Sequence, residues 1–252
     1  MLSRPMIDLI PEAKKFAIPP ISNFYVGAVA RGTSGKTYFG ANFEFTGEAL
    51  SFTVHAEQAA VVQAMAGGET GLEMIAVSAA PCGYCRQFLN ELTTAATLKV
   101  QIVGHPLMDL PQLLPAAFGP RDLGVDAALM SPQSHGLTLD APDPLAAAAL
   151  AAANASYAPY SHGYAGVALQ TRDGAIYTGS VAENAAYNPS ISPLEAAIVN
   201  LVIGGRKAYA DIADAVLVEV ADAPVSQLSA TRAVLGSIGD VPLRVFQVPR
   251  PA

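Results

Sequence analysis

The strongest constraint on how this chain can fold is that it contains a diverged copy of itself. Ser22-Asn23-Phe24-Tyr25-Val26-Gly27-Ala28-Val29-Ala30 aligns with Ser161-His162-Gly163-Tyr164-Ala165-Gly166-Val167-Ala168-Leu169, 139 residues later. At the same offset Tyr38-Phe39-Gly40 falls on Tyr177-Thr178-Gly179, and Glu44 falls on Glu183. After a one-residue gap, His55-Ala56-Glu57-Gln58-Ala59-Ala60-Val61 lies on Pro193-Leu194-Glu195-Ala196-Ala197-Ile198-Val199. Whatever fold one copy adopts, the other must adopt as well.

Hydrophobic periodicity and chain breakers predict the elements of one copy. Residues 25–30 and 36–40 read as strands joined at a Ser34-Gly35 turn, and a helix runs from His55 to Ala66, stopped by Gly67-Gly68. A strand over 73–79, a helix opened by Pro81-Cys82 and a strand over 98–103 complete the set. The second copy repeats it at 164–170, 175–179, 193–204, 214–220, 225–236 and 243–248. Alanine-rich Leu145 to Ala153 reads as a further helix, and the Pro-rich stretch from Pro106 to Pro144 as a structured linker. Strands alternating with helices imply an α/β class, with helices packed on the faces of a sheet. The expected domains are 1–121, a linker over 122–139, and 140–252.

Only the first copy carries metal-binding chemistry. His55-Ala56-Glu57 is followed, 25 residues after Glu57, by Pro81-Cys82-Gly83-Tyr84-Cys85, and these are the chain's only 2 cysteines. Two thiolates and an imidazole suit zinc. Three protein ligands leave a coordination position for water, as catalytic rather than structural sites do. The arrangement H-x-E … P-C-x-x-C is the signature of zinc-dependent nucleobase deaminases. In the second copy Pro193 stands for the histidine, and Pro224-Val225 and Leu228 stand for Pro81-Cys82 and Cys85, while Glu195 survives. One zinc per chain is therefore expected. Both ligand motifs sit at predicted helix starts, where free amides and the helix dipole favour thiolate. Arg86 is a candidate to donate hydrogen bonds to a thiolate. A redox Cys82–Cys85 pair would leave His55 and Glu57 unexplained.

Composition narrows the function class. Hydrophobic residues make up 52% and charged residues 14%, enough for a substantial core. The net charge of −7 and the lack of clustered Lys and Arg argue against a polyanion groove. Lys14-Lys15 and Arg206-Lys207 read as solvated pairs. Met1-Leu2-Ser3-Arg4-Pro5 lacks the apolar core of a signal peptide, and two cysteines make no disulfide framework. No apolar run approaches the about 20 residues that span a bilayer. The expectation is a cytoplasmic protein with no membrane and no nucleic-acid partner.

These motifs, with Tyr38-Phe39-Gly40-Ala41-Asn42-Phe43-Glu44-Phe45, Ala117-Phe118-Gly119-Pro120 and Glu183-Asn184-Ala185-Ala186-Tyr187-Asn188-Pro189, resemble the cytidine deaminases. The likeness is to the dimeric two-domain type of the zinc-dependent cytidine/deoxycytidylate deaminase superfamily, and it runs from about Ser22 to the C-terminus. It implies two tandem three-layer α/β/α domains, the second degenerate, in a homodimer. It implies hydrolytic deamination of cytidine and 2′-deoxycytidine in pyrimidine salvage. By the same resemblance His55, Cys82 and Cys85 hold zinc, and Glu57 shuttles the proton. Asn42 and Glu44 bind the ribose, Phe24 packs on the nucleoside, and the backbone of Ala56 and Ala80 meets the pyrimidine edge. Phe118 and Tyr187 are candidates to cover the partner subunit's site. One departure is the short stretch before Ser22, where the type often carries a longer helical arm. Two rival functions are a deaminase acting on a nucleotide or on cytosine in a nucleic acid, and a noncatalytic zinc-stabilised assembly protein.

Overall fold

The computed structural model describes residues 5–250. The chain resolves into two compact units, each discontinuous in sequence: one comprises residues 1–44, 53–131 and 184–189, and the other 45–52, 132–183 and 190–252.

In the first unit a short helix α1 (Ile10–Ala13) precedes strands β1 (Gly27–Gly32) and β2 (Thr37–Ala41). Helix α2 (Ala56–Ala66), strand β3 (Leu72–Val77) and helix α3 (Gly83–Leu89) follow, then β4 (Lys99–Ile102), β5 (Leu107–Asp109) and the single turn α4 (Leu110–Leu113). The five strands lie in the order β2-β1-β3-β4-β5. Only β3 and β4 run parallel, as expected of a pair joined through a helix.

Side-chain alternation along β1 assigns a layer to each face. Val29 points into a cluster with Met6, Ile10, Ala13 and Ala76, on the side of α1. Ala28 pairs with Gly40, and that opposite face receives α2. A Cβ on Gly40 would stand 2.0 Å from the Ala56 carbonyl oxygen and 2.5 Å from the Ala60 nitrogen. The helix that begins beside His55 therefore rests directly on the backbone of β2. Its alanines permit this approach, and it is buried nearly all round, from Ala56 to Val62.

The second unit repeats the plan with α5 (Pro144–Asn154), β6 (Ala165–Thr171), β7 (Ile176–Ser180), α6 (Pro193–Val199), β8 (Ile212–Val220), α7 (Leu228–Ile238) and β9 (Leu243–Val248). The sheet order β7-β6-β8-β9 is that of the first unit without a fifth strand. One contact repeats and corrects the sequence alignment by a residue: a Cβ on Gly179 would stand 2.2 Å from the Pro193 oxygen and 2.2 Å from the Ala197 nitrogen. Pro193 therefore holds the place of Ala56, the N-cap Ser192 that of His55, and Glu195, which accepts the Ser192 N–H, that of Gln58 rather than Glu57. Helix α5 covers the other face, packing Leu145, Ala146, Ala149 and Ala153 against Ala168, Val216 and Val218.

Helices α1 and α4 have no counterpart in the sequence reading, and three further places depart from it. The expected linker contains β5, paired antiparallel to β4. The expected helix over 193–204 ends its α-helical part at Val199 and closes in a π turn, Asn200–Gly204. The helix expected from 225 begins at Leu228, because Glu219 accepts hydrogen bonds from the Ser226 hydroxyl and the Gln227 N–H and holds that stretch out of helical form.

Candidate active site

Both ligand-bearing helices begin at a ligand. His55 is the N-cap of α2 and Cys82 the N-cap of α3, each in extended conformation. Gln58 locks the first cap, since the His55 N–H donates to its Oε1 at 3.0 Å. The first turn of α3 brings Cys85 back beside Cys82. The result is a tight triangle. His55 Nδ1 lies 3.6 Å from Cys82 Sγ and 3.2 Å from Cys85 Sγ, and the two sulfurs are 3.7 Å apart.

This triangle fits zinc. A tetrahedral ion with its usual bond lengths would hold two sulfurs about 3.8 Å apart and a nitrogen about 3.5 Å from each. The electrostatics point the same way. The Cys82 thiol is held down to about 3, first by the hydrogen bond from Cys85 and then by His55. The Cys85 thiol is pushed up by the same bond to Cys82 and by burial. His55 is raised by its bond to Cys82. Cys82 is thus the readier thiolate of the pair. Among the described residues this is the one His/Cys/Asp/Glu group of three or more placed to hold a metal.

Glu57 follows on the first turn of α2 and is 4% exposed. Burial raises its carboxyl above the ordinary range, against the lowering influence of its own backbone N–H, Cys85 and His55. A cavity of about 320 Å³ opens in front of the metal ligands. Its wall includes His55, Ala56, Glu57, Ala80 and Cys82, together with Phe24, Asn42 and Glu44. The sequence-predicted site residues therefore converge, apart from Cys85, Arg86, Phe118 and Tyr187, which do not line this cavity.

Sequence reading missed Ser22, Val26, Thr53 and Ala79 in the same wall. Ser22 had a signal, its recurrence as Ser161. Thr53 had none, since a lone threonine before a motif looks like any other.

Asn42 and Glu44 are tied into the wall. Asn42 Oδ1 accepts from the Val26 N–H and Nδ2 donates to the Phe24 carbonyl, both at 2.9 Å. Glu44 Oε2 accepts from the Ile21 and Ser22 N–H groups, and Oε1 from the Ser22 hydroxyl. Burial opposes its ionisation, but these bonds outweigh burial and hold the carboxyl below its usual range. In the second unit Glu183 makes the same three bonds to Tyr160 and Ser161. The glutamate clamp thus belongs to the fold as well as to the site. Asn42 does not recur, since Val181 stands there. In the second unit a Cβ on Gly163, which the sequence aligns with Phe24, would lie 2.7 Å from Val225 Cγ2, so a side chain there would meet Val225.

Three candidate residues lie outside this cavity. Arg86 Nε donates to the Pro81 carbonyl at 2.8 Å and Nη1 to the Leu113 carbonyl at 2.9 Å, bracing the turn that carries the cysteines. Phe118 is 45% exposed, and its carbonyl accepts from Gln87 and Asn90. Tyr187 is 65% exposed, but its segment, 184–189, belongs to the first unit of its own chain. The Tyr84 hydroxyl donates to the Asn188 carbonyl at 2.6 Å and Gln58 Nε2 to the Pro189 carbonyl at 3.0 Å.

Comparison with known proteins identifies the family. Two family models, each described as the cytidine and deoxycytidylate deaminase zinc-binding region, match residues 3–100 and 110–232. The chain is 49% identical over 238 residues to a cytidine deaminase of Photobacterium profundum, covering 94% of this chain and 80% of that one. It is 53% identical over 238 residues to a cytidine deaminase of Aeromonas hydrophila subsp. hydrophila, with the same coverage. Against a cytidine deaminase of Yersinia pestis it is 52% identical over 231 residues, covering 92% and 78%. The doubled α/β frame, the intact His-Cys-Cys triangle in one copy and these likenesses agree: the chain belongs to the cytidine and deoxycytidylate deaminase family.

Proposed function

We propose that this chain is a zinc-dependent hydrolase that converts cytidine and 2′-deoxycytidine to uridine and 2′-deoxyuridine, releasing ammonia. The observation that carries the reading is one cavity whose wall holds two of the three zinc ligands, a buried glutamate and a polar asparagine–glutamate pair. Zinc, when bound by His55, Cys82 and Cys85, makes a water molecule acidic enough to act as nucleophile near neutral pH.

Glu57 moves the protons. It takes one from the attacking water and places it on ring N3 as oxygen bonds to C4. It then takes the remaining hydroxyl proton and delivers it to the amino group, so that the C4–N bond breaks and ammonia leaves. Its burial suits this role, because protons gained there are not lost to bulk water. One carboxylate serves each step because each proton it takes is the proton it next gives.

Asn42 and Glu44 hold the sugar. Asn42 keeps one amide N–H beyond its bond to Phe24, and the Glu44 carboxylate keeps acceptor capacity beyond its bonds to Ser22 and Ile21. Phe24, 61% exposed at the rim, offers its ring to the nucleoside, and the backbone of Ala56 and Ala80 meets the base edge. A carboxylate in the sugar wall repels a nearby phosphate, which favours a free nucleoside. Arg86 supports the cysteine turn through the Pro81 carbonyl rather than by touching sulfur.

The same reading places the enzyme in the cytoplasm, in pyrimidine salvage, as a symmetric homodimer. Exposed Phe24, Tyr25, Phe118 and Tyr187 supply apolar surface for such an interface. Phe118 and Tyr187, both carried by the first unit, cover the partner subunit's cavity. No helix of the described residues is long and apolar enough to cross a membrane.

The test is ammonia release from cytidine, CMP and a cytosine-containing oligonucleotide, with metal content measured on the same sample. Turnover of cytidine, with little of the other two, is expected. Preference for a phosphorylated substrate would overturn the substrate assignment, and zinc-loaded protein with no turnover would overturn the activity.

A further inference from the structure

We propose that Tyr84 is a positioning residue for the metal ligand His55, and that the 184–189 segment holds Tyr84 in place. The inference rests on the zinc reading above. Tyr84 lies between the two cysteines. Its ring stacks on the His55 imidazole, with centroids 5.3 Å apart and planes inclined by 28°. Its hydroxyl ends on the Asn188 carbonyl at 2.6 Å. Gln58 makes a parallel link. Its Oε1 takes the His55 N–H at 3.0 Å and its Nε2 ends on the next carbonyl, Pro189, at 3.0 Å. The histidine is thus touched at ring and backbone by two side chains from two different helices, and both are tied to consecutive carbonyls of one segment.

The segment itself is fixed. The Ala185 N–H donates to Glu91 Oε2 at 3.0 Å, and Asn184 exchanges two hydrogen bonds with Gln87, at 3.0 and 3.3 Å. Tyr84 and Gln87 stand at i and i+3 on α3, and Glu91 follows in the turn beyond it. Tyr187, at φ 63°, is held in a left-handed conformation that an aromatic residue seldom adopts. Anchors on both sides of it, at 184–185 and 188–189, keep it there. A ligand imidazole retains rotation about its bond to Cβ. A ring stacked on it restrains that rotation only if the ring is itself restrained, and the phenol–carbonyl bond supplies this. Partners that orient a ligand in this way typically change metal affinity or activity 10- to 100-fold when lost.

Two variants separate the contributions. Tyr84→Phe keeps the stack and removes the hydroxyl, and Tyr84→Leu removes both. The readouts are the rate of zinc transfer to a colorimetric chelator, the visible absorption of the cobalt-substituted protein, and the melting temperature of the zinc-free protein. Tyr84→Phe should lose zinc about 10-fold faster than the natural chain and shift the cobalt bands. Tyr84→Leu should go further, while both melt near the natural chain when zinc-free. Identical zinc release and superimposable cobalt spectra for Tyr84→Phe would overturn the proposal. So would a lowered zinc-free melting temperature with unchanged zinc release, which marks a purely structural residue. If the natural chain itself binds no zinc, the zinc reading fails first and takes this inference with it.

Discussion

Gly40→Ala adds one methyl group on β2, at the point where α2 starts. That Cβ would stand 2.0 Å from the Ala56 carbonyl oxygen, whereas real contacts essentially never fall below 3.0 Å. Something must give by about 1 Å, and a shift of that size in a catalytic group can cost about 100-fold in rate. The neighbour that must move is backbone, and Ala56 lies between His55 and Glu57, so a ligand and the proton carrier move with it. The molecule supplies its own control in Gly179→Ala, whose Cβ would stand 2.2 Å from the Pro193 oxygen at the start of α6, where no metal is held. Overpacking of this kind costs about 1–3 kcal/mol, and both variants should show a comparable fall in melting temperature. Only Gly40→Ala should also lose about 100-fold in kcat/KM for cytidine and retain less than a full equivalent of zinc. Measuring kcat/KM, zinc per chain and melting temperature on the pair decides the matter. Equal activity losses in the two variants, or a Gly40→Ala enzyme within a few-fold of the natural one, would refute the claim that this contact sets the ligand geometry.

Glu57→Gln should keep zinc and lose at least about 100-fold in turnover, because the amide cannot carry the proton; ammonia release near the natural rate would remove Glu57 from the mechanism. Elemental analysis should find one zinc per chain, and a value near two would mean that the second copy binds metal after all. Phe118→Ala chains mixed with Glu57→Gln chains should regain activity if Phe118 acts across the dimer, since one site of a mixed pair then carries both defects and the other carries none. A mixture no more active than its parts would place Phe118 in its own chain's site. Glu195 is raised to about 7 by burial, against an ordinary value of 4.5. The folded state therefore holds an extra proton between those values, and stability falls as pH rises through that window, by ~3 kcal/mol in total. Glu195→Gln can still accept the Ser192 N–H and should match the natural chain near pH 5 but melt higher at pH 8; a gap that does not grow with pH would show that burial is not the cause.

Local features of this fold were legible because local chemistry produces them. Gly67-Gly68 stops α2, Pro81-Cys82 opens α3, and Gly27 and Gly40 recur 139 residues later as Gly166 and Gly179 because each lies where a helix rests on a strand. The zinc ligands and Glu57 were legible because few other residue patterns leave an open metal position beside a carboxylate. What was hidden depends on direction or distance. The composition of β5 says little, since three residues on a sheet edge are too few to show alternation. Arg86 follows a ligand in sequence, but its reach is decided by where the Pro81 and Leu113 carbonyls point. The return of residues 184–189 to the first unit spans about a hundred residues of chain and leaves no periodic trace. Only the structure reveals that Gln58 and Tyr84 end on that segment.

The contact between Gly163 and Val225 bears on whether the second copy could be given a metal site. Ser192, not Pro193, holds the helix-cap place that His55 holds in the first copy, so substitution at the positions the sequence alignment names would not by itself rebuild the triangle. Where the first copy holds Phe24, the second has a glycine whose added Cβ would meet Val225 at 2.7 Å. A side chain at 163 and the side chain of Val225 therefore compete for one space, and giving the second copy a ring in the place of Phe24 would require changing both positions together.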